Sequence, residues 1–266
     1  MYPFIHIGPL TLGSYGLMVA VGLICAFFIL RADFARRAVS ADAEAIIGIT
    51  GLAGLVGSRL YHLLESPAEF FADPWPQLFS TMGFAFVGAI IGGFFALVFL
   101  AKRFRMPMLL MLDAASPAAA MGYGIGRIGC LISGDGDYGK PTTLPWGMAF
   151  PHGIVPTTQS CVEWGAAPDC RVHPTPIYEF LVAILIFWIL WRLGARGLKT
   201  RAPNGVIFAA YLVLTGIARF LVEMIRINPR SFYGLTNAQA ASVVSVIAGV
   251  ALFVYCRKAP RKEIRA

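Results

Sequence analysis

The residues of this chain with the clearest chemical potential are charged side chains within apolar segments. Arg219, Glu223 and Arg226 follow an i, i+4, i+7 spacing, which places all three on one face of a helix. Arg127 lies near the end of another apolar segment. A charged group at membrane depth costs a few kcal/mol or more, so it persists where it pairs, faces water or binds a ligand.

Two arginines for one glutamate leave a surplus of positive charge, and Arg127 adds to it. We therefore predict a cationic pocket for a phosphate-bearing lipid headgroup, because the planar guanidinium group binds phosphate oxygens in pairs. The alternative is purely structural. In that interpretation Arg219 and Glu223 form an intrahelical pair, and Arg226 anchors its helix at the membrane surface.

The elements that must position these residues are long apolar helices. Of the 266 residues, 58% are hydrophobic and 14% are charged, and about 20 consecutive apolar residues cross a bilayer. We predict an all-α polytopic membrane protein with a single transmembrane domain over residues 1–266 and no cleavable signal peptide. Its seven transmembrane helices are expected at roughly 12–31, 45–64, 82–101, 107–130, 175–192, 204–225 and 238–256.

The distribution of basic residues predicts the orientation of the chain. Lysines and arginines follow the first, third and fifth spans, and the tail after the seventh contains Arg257, Lys258, Arg261, Lys262 and Arg265. The positive-inside rule then places the N-terminus outside and the C-terminus in the cytoplasm. Anionic lipid explains the net charge of +8, so no nucleic-acid partner is expected.

The stretch 131–174 is the longest polar segment, and we predict that it forms an outward-facing periplasmic cap between helices four and five. It contains Cys161 and Cys170, which either form a disulfide in an oxidising exterior or remain free thiols. His173 lies near them, but no fourth ligand follows at a metal-binding spacing. We predict neither a metal site nor a cofactor.

Several motifs resemble one bacterial family. Gly126-Arg127-Ile128-Gly129, followed by a loop of glycine, acidic residue, tyrosine and glycine, looks like the signature of the phosphatidylglycerol–prolipoprotein diacylglyceryl transferases. Further stretches resemble the same family in the same order along the chain. They are Ile7–Leu10 with Tyr15–Met18, Gly57–Tyr61, Asp113–Pro117, His173–Glu179, Arg219–Arg226 and Leu235–Gln239.

The resemblance implies a reaction at a bacterial cytoplasmic membrane, with a site that faces the periplasm. A diacylglyceryl group leaves phosphatidylglycerol and joins the lipobox cysteine of a prolipoprotein, and glycerol 1-phosphate is released. The catalytic residues that the resemblance implies are Arg127 and Arg219 on the phosphate, Glu223 orienting Arg219, and Tyr15 in support. The further substrate-binding residues that it implies are Arg226, Arg59, Asp135, Gly139 and His173.

Four features depart from the family pattern. Val87 stands where the family usually has a protic side chain, and Cys130 and Ser133 each stand where it usually has an asparagine. The stretch Asp135-Gly136-Asp137 makes the loop one residue longer. His62 and His173 are candidate replacements for a base. The departures leave open an altered paralogue that binds or moves an anionic phospholipid without forming a thioether. A third hypothesis is an organic-anion transporter, against which the sequence shows no inverted repeat.

Overall fold

The computed structural model of the chain describes residues 2–8, 10–65, 67–79 and 85–258. Pro9, Gly83, Phe84, Arg261, Lys262 and Arg265, to which the predictions above refer, lie outside the described residues. The described elements, in chain order, are β1 (Phe4–Ile7), β2 (Leu10–Gly13), α1 (Ser14–Arg37), α2 (Ala43–Glu65), α3 (Pro67–Ala72), α4 (Pro74–Phe79), α5 (Phe86–Arg103), α6 (Met108–Ser133), α7 (Thr157–Glu163), α8 (Thr175–Thr200), α9 (Val206–Glu223) and α10 (Asn237–Lys258).

The prediction of an all-α fold is wrong near the N-terminus, where β1 and β2 form an antiparallel hairpin. The register pairs His6 with Thr11, and their side chains are 2.9 Å apart between Nδ1 and Oγ1. Gly8 between the strands has a φ of +59°, a conformation that glycine adopts without steric cost. The first helix therefore begins at Ser14, and the residues before it are paired with each other instead of entering the helix.

Among the described residues, six helices are long and apolar enough to cross a membrane: α1, α2, α6, α8, α9 and α10. Large apolar side chains on them are exposed, including Leu64 at 77% and Ile247 at 63%, as expected for surfaces that face lipid. The chain is thus mostly helical with the character of a polytopic membrane protein. Helix α5 matches most of the span expected at 82–101, whose first three residues lie outside the described part.

The chain divides into two compact units, and the prediction of a single domain remains a prediction. The larger unit comprises Met1–Ile29 and Leu112–Ala266, and the smaller unit comprises Leu30–Met111. In the larger unit, α8, α9 and α6 share a core that contains Ala120, Leu190 and Ile207. This core holds together the helices that carry the charged residues.

A buried carboxylate on α6 fixes the beginning of α9. Asp113 accepts hydrogen bonds from the backbone N–H groups of Gly205 at 2.7 Å and Phe208 at 2.8 Å. The first N–H groups of a helix lack intrahelical partners, so the carboxylate satisfies two of them and complements the helix dipole. This contact sets the position of α6, which carries Arg127, relative to α9, which carries Arg219.

In the smaller unit, glycines bring α2 and α5 into close contact. A Cβ atom added to Gly57 would lie 2.5 Å from the carbonyl oxygen of Gly88, and one added to Gly88 would collide with the carbonyl of Gly57. Gly92 meets the carbonyl of Ala53 in the same way. Small residues let membrane helices approach this closely, so the packing depends on the missing side chains.

Gly88→Ala should lower the thermal unfolding temperature of the purified protein, because the new methyl group meets backbone that has no room to shift. Overpacking of this kind costs about 1–3 kcal/mol. Gly93→Ala on the same helix is the matched control, since its Cβ would make an ordinary 3.5 Å contact with Thr50. Equal unfolding temperatures for the two variants would contradict the packing described here.

Candidate active site

Four parts of the larger unit meet at one group of charges. They are the last turns of α6, the loop after α6, the start of α8, and the end of α9 with the residues that follow it. We call this group the ion-pair cluster. Its members are Arg127, Asp137, Glu179, Arg219, Glu223 and Arg226.

The sequence near α8 and α9 explains how the helices present these side chains. Helix α8 begins after Pro174, with Pro176 in its first turn, where a fixed φ suits a helix start. Glu179 then falls in the second turn, close to the positive end of the helix dipole. Arg219 and Glu223 occupy the last turns of α9 on one face, as their spacing predicts.

Glu179 lies at the centre of the cluster. Its Oε1 is 2.7 Å from Arg219 Nη1, while its Oε2 is 3.6 Å from Arg127 Nε and 3.5 Å from Arg226 Nη1. The Tyr123 hydroxyl on α6 donates a hydrogen bond to Oε1. One carboxylate on α8 therefore faces guanidinium groups from two other helices.

Glu223 pairs with both arginines of its own segment. Its Oε2 is 3.0 Å from Arg219 Nη2 and 3.7 Å from Arg226 Nε. Its other oxygen, Oε1, accepts a hydrogen bond from the Asn228 side chain. The intrahelical pair that was the structural alternative is present, but it belongs to a larger network.

Asp137, in the loop after α6, bridges two arginines. Its Oδ2 pairs with Arg127 Nη1, and its Oδ1 pairs with Arg226 Nη2. The Asp137 main-chain carbonyl accepts a hydrogen bond from Thr175 Oγ1 at 2.6 Å. The loop is thereby attached to the first residue of α8.

The predicted surplus of positive charge is wrong for the cluster itself, which contains three guanidinium groups and three carboxylates. The prediction counted Arg127 and the charges on one face of α9, whereas Glu179 comes from α8 and Asp137 from the loop after α6. Balanced charge is what partly buried arginines require, because an unpaired charge in a low-dielectric interior is strongly destabilising.

Exposure divides the cluster into an inner and an outer part. The side chains of Glu223, Glu179 and Arg226 are 0%, 3% and 5% exposed, whereas those of Arg127, Arg219 and Asp137 are 15%, 26% and 30% exposed. A ligand that approaches the cluster therefore meets Arg127, Arg219 and Asp137 first.

Gly139 connects the loop to the segment after α9. Its N–H donates to His173 O at 2.9 Å, and it pairs in a short antiparallel bridge with Arg226. A Cβ at this position would lie 2.6 Å from the Cβ of His173 and 2.9 Å from Ile225 O. The residue must be glycine for the loop to pass this close, and through this contact it helps to place Arg226.

His173 forms a polar chain with two aromatic residues. Its Nδ1 is 3.2 Å from the Tyr178 hydroxyl, which also accepts a hydrogen bond from Trp146 Nε1 at 2.7 Å. His173 thus lies two residues before the start of α8, and its ring contacts Tyr178, the residue that precedes Glu179.

Tyr15, Cys130 and Asp135 lie beside the cluster. A Cβ on Gly129 would lie 3.2 Å from the Tyr15 ring, so the first turn of α1 packs on α6 there. The sulfur of buried Cys130 is 3.7 Å from Arg127 Nη1. Burial raises the pKa of the Asp135 carboxyl above its usual value.

The two loop aspartates differ in their electrostatics. Burial acts to raise the pKa of Asp137, but the charges of Arg226 and Arg127 outweigh it and hold the pKa below its usual value. Donor atoms of Cys130, Asp135 and Asp137 lie within 4.8 Å of one another. Since both Asp137 oxygens already face guanidinium groups, this arrangement suits arginine better than a metal ion.

The segment between α6 and α8 has a small core of its own. Tyr138 stacks on Phe150 with ring centroids 4.2 Å apart, and both are fully buried with Val172. A disulfide joins Cys161 to Cys170, the pair for which the sequence left free thiols open. This core anchors the residue next to Asp137.

Two residues of interest belong to the smaller unit. Arg59 on α2 is 8% exposed, and its role in substrate binding remains a prediction. Val87 on α5 is 49% exposed and brings no protic group to its position.

The comparison with known proteins decides the family. Residues 3–255 match the family described as prolipoprotein diacylglyceryl transferase. The chain belongs to this family. The resemblance inferred from the motifs is therefore confirmed, and the protein is a transferase by family.

Relatives named phosphatidylglycerol–prolipoprotein diacylglyceryl transferase align over most of their length. The protein from Clostridium tetani is 31% identical over 251 residues, which cover 92% of this chain and 93% of the relative. The protein from Geobacter sulfurreducens is 32% identical over 87% of this chain and 84% of the relative. The protein from Chromohalobacter salexigens is 32% identical over 98% of this chain and 94% of the relative.

In this diacylglyceryl transferase family member, two carboxylates and a tyrosine of the site were not among the residues predicted from the sequence. Glu179 closes the motif that begins at His173, so its motif carried a signal. Asp137 lies in the glycine-rich loop after the signature arginine, where two acidic residues were visible but their partners were not. Tyr123 gave no signal beyond its place among glycines, four residues before Arg127.

Glu179→Gln should destabilise the protein by about 3 kcal/mol or more, because it leaves three guanidinium groups with two carboxylates in a buried site. A fall in the thermal unfolding temperature in detergent would measure this. Glu163→Gln on α7 is the matched control, since Glu163 is exposed and accepts a hydrogen bond from the nearby Gln159 side chain at 3.0 Å. If the Glu179 variant unfolded at the wild-type temperature, the central role of Glu179 in the cluster would be contradicted.

Asp137→Asn should weaken the acid dependence of stability. A depressed pKa stabilises the folded state above about pH 4, near the pKa of an unfolded aspartate, and this contribution is lost as the pH falls through the lower folded-state pKa. The unfolding temperature of the wild type should therefore drop more steeply than that of the variant below about pH 4.

Asp135→Asn is the control, because its effect on stability should have the opposite sign. Because the folded-state pKa of Asp135 is raised, its carboxylate weakens the fold as the pH rises above about pH 4, and the variant should gain stability relative to the wild type at neutral pH. Parallel pH profiles for the wild type and the Asp137 variant would show that the Asp137 charge pairs contribute nothing to stability.

Proposed function

We propose that this protein transfers the diacylglyceryl group of phosphatidylglycerol to the lipobox cysteine of a prolipoprotein. Family membership supports this function, and so do the names of its relatives. The observation that carries it is the ion-pair cluster, in which three guanidinium groups converge and two of them, on Arg127 and Arg219, are partly exposed.

The reaction is a displacement at carbon. The cysteine sulfur attacks the glyceryl carbon that bears the phosphate oxygen, a carbon–sulfur bond forms, and the carbon–oxygen bond breaks. The electron pair of that bond leaves with the oxygen of glycerol 1-phosphate, and the thiol proton is lost to a base, since the thiolate is the nucleophile. Negative charge grows on the phosphate as the bond breaks, so positive charge fixed beside it lowers the barrier.

Arg127 and Arg219 are the groups that we assign to the phosphate. Both side chains are partly exposed, and each forms an ion pair with the buried carboxylate of Glu179. Glu223 orients Arg219 through a 3.0 Å ion pair, while Arg226 and Tyr15 support the site from its sides. Preorganised charges of this kind need no reorganisation during the reaction.

The two substrates determine from which sides the site must be accessible. A two-chain phospholipid enters from the bilayer, and a prolipoprotein presents its cysteine on the outer side of the bacterial inner membrane. We propose seven spans, an outside N-terminus, a cytoplasmic C-terminus and an outward cap formed by 131–174. The Cys161–Cys170 disulfide supports this placement, because such bridges persist in oxidising compartments.

Arg127→Ala and Arg219→Ala should each reduce turnover about 100-fold or more, because each removes a charge placed for the developing phosphate anion. Turnover is measured as thioether product from phosphatidylglycerol and a lipobox peptide in detergent. Arg127→Lys should recover only part of the activity, since an ammonium group lacks the paired donors of a guanidinium.

The control for these variants is Arg196→Ala, which removes an exposed arginine of α8 far along the helix from Glu179. It should keep wild-type turnover. Unchanged turnover in both the Arg127 and the Arg219 variants, with folding intact, would end the assignment of the phosphate site.

A further inference from the structure

The side chain of Asp137 makes the contacts that a phosphate group would make. Each of its two oxygens pairs with a different guanidinium group, Oδ2 with Arg127 and Oδ1 with Arg226. Arginine binds carboxylate and phosphate through the same fork of N–H donors. Two arginines that share one carboxylate are thus already arranged around an anion.

Of the three carboxylates in the cluster, Asp137 is the one that can be exchanged. Glu179 and Glu223 belong to helices, and their side chains are 3% and 0% exposed. Asp137 belongs to a loop, and its side chain is 30% exposed. A ligand can reach it without unfolding a helix.

The backbone at Asp137 is fixed, so only its side chain is free to turn away. The carbonyl of Asp137 accepts the Thr175 hydroxyl, and the next residue, Tyr138, is fully buried against Phe150. Turning the Asp137 side chain away is a local rotamer change that breaks its two ion pairs and needs no movement of the backbone of the cap.

The charge balance fits such an exchange. With Asp137 in place, the cluster has equal numbers of positive and negative groups. When the Asp137 carboxylate turns out, one positive charge is left uncompensated, which matches the single negative charge of a phosphodiester.

We propose that the Asp137 carboxylate holds Arg127 and Arg226 in the free enzyme and is displaced when the phosphate of phosphatidylglycerol binds, so that Arg226 joins Arg127 and Arg219 as a phosphate contact. This inference rests on the proposed function. Asp137 is then a competing and positioning residue: it keeps Arg127 and Arg226 paired and oriented in the absence of lipid, and it lowers the apparent affinity for the anion that replaces it.

The test is whether Asp137→Asn lowers KM for phosphatidylglycerol without lowering kcat. A neutral amide does not hold two guanidinium groups, so the lipid phosphate enters without competition. If the open arrangement is about 10% populated in the wild type, KM for phosphatidylglycerol should fall about tenfold in the variant. Asp137→Glu keeps the charge and should stay close to the wild type. Asp169→Asn, at an exposed aspartate of the same segment, is the matched control and should not change KM.

A binding measurement without peptide separates this inference from the proposed reaction. Phosphatidylglycerol in nanodiscs should raise the unfolding temperature of Asp137→Asn at lower lipid fractions than for the wild type, whether or not thioether forms. Inorganic phosphate in place of the lipid tests for a free anion, and an equal response to both would assign the exchange to any phosphate. Absence of thioether product with this binding difference intact would overturn the reaction and leave the exchange standing.

A rise in KM together with a fall in kcat for Asp137→Asn would overturn the inference, because it would show that lipid binds beside an Asp137 that stays in place. Unchanged KM and unchanged lipid binding would overturn it as well. Asp137→Ser provides a second neutral variant. If neither neutral variant folds, Asp137 is required for the structure itself and the exchange is excluded.

Discussion

A buried carboxylate that faces three guanidinium groups is the constraint on which the rest of the site depends. Glu179 touches arginines from α6, α9 and the segment after α9, and it is almost fully buried. At such depth an uncompensated charge is costly, so the helices that carry the arginines must meet where the carboxylate is. Asp113 fixes α6 against the start of α9, and Glu179 fixes the same two helices further along. The two buried acids therefore set the spacing of Arg127 and Arg219, which the proposed phosphate contacts require.

The balanced cluster changes how anion binding by this protein is understood. A pocket with a fixed surplus of positive charge would attract any anion and would be expensive to bury in a membrane protein. A neutral cluster is cheaper to fold, but an anion must then replace or rearrange a carboxylate that is already present. The exposure of the side chains separates the permanent partners, Glu179 and Glu223, from the replaceable one, Asp137. Selectivity then comes from matching the contacts of that carboxylate, which favours an anion with several oxygens able to reach two guanidinium groups.

The sequence revealed the helices and the positive charges of the site more readily than their partners. Long apolar runs predict membrane helices because length and hydropathy are local properties, and six of the predicted spans meet those criteria among the described residues. The common face of Arg219, Glu223 and Arg226 followed from helical spacing alone. By contrast, the contacts of Glu179 and Asp137 with Arg219 and Arg226 join residues 40 to 89 positions apart, and no local pattern encodes such pairs. The N-terminal hairpin was missed because each strand has only four residues, and the end of β2 overlaps the apolar run that was predicted as the first span at 12–31.

The contacts of Arg127 also show which side chains determine its position. The sulfur of Cys130 makes only a 3.7 Å contact with Arg127, which is a weak hydrogen bond for a thiol. The charged partners of Arg127 are the carboxylates of Glu179 and Asp137. Because hydrogen bonds between charged groups are stronger than those of neutral groups, these two carboxylates decide where the guanidinium group lies, and Cys130 contributes little to it. Arg127 therefore keeps its position through one partner from α8 and one from the loop after α6.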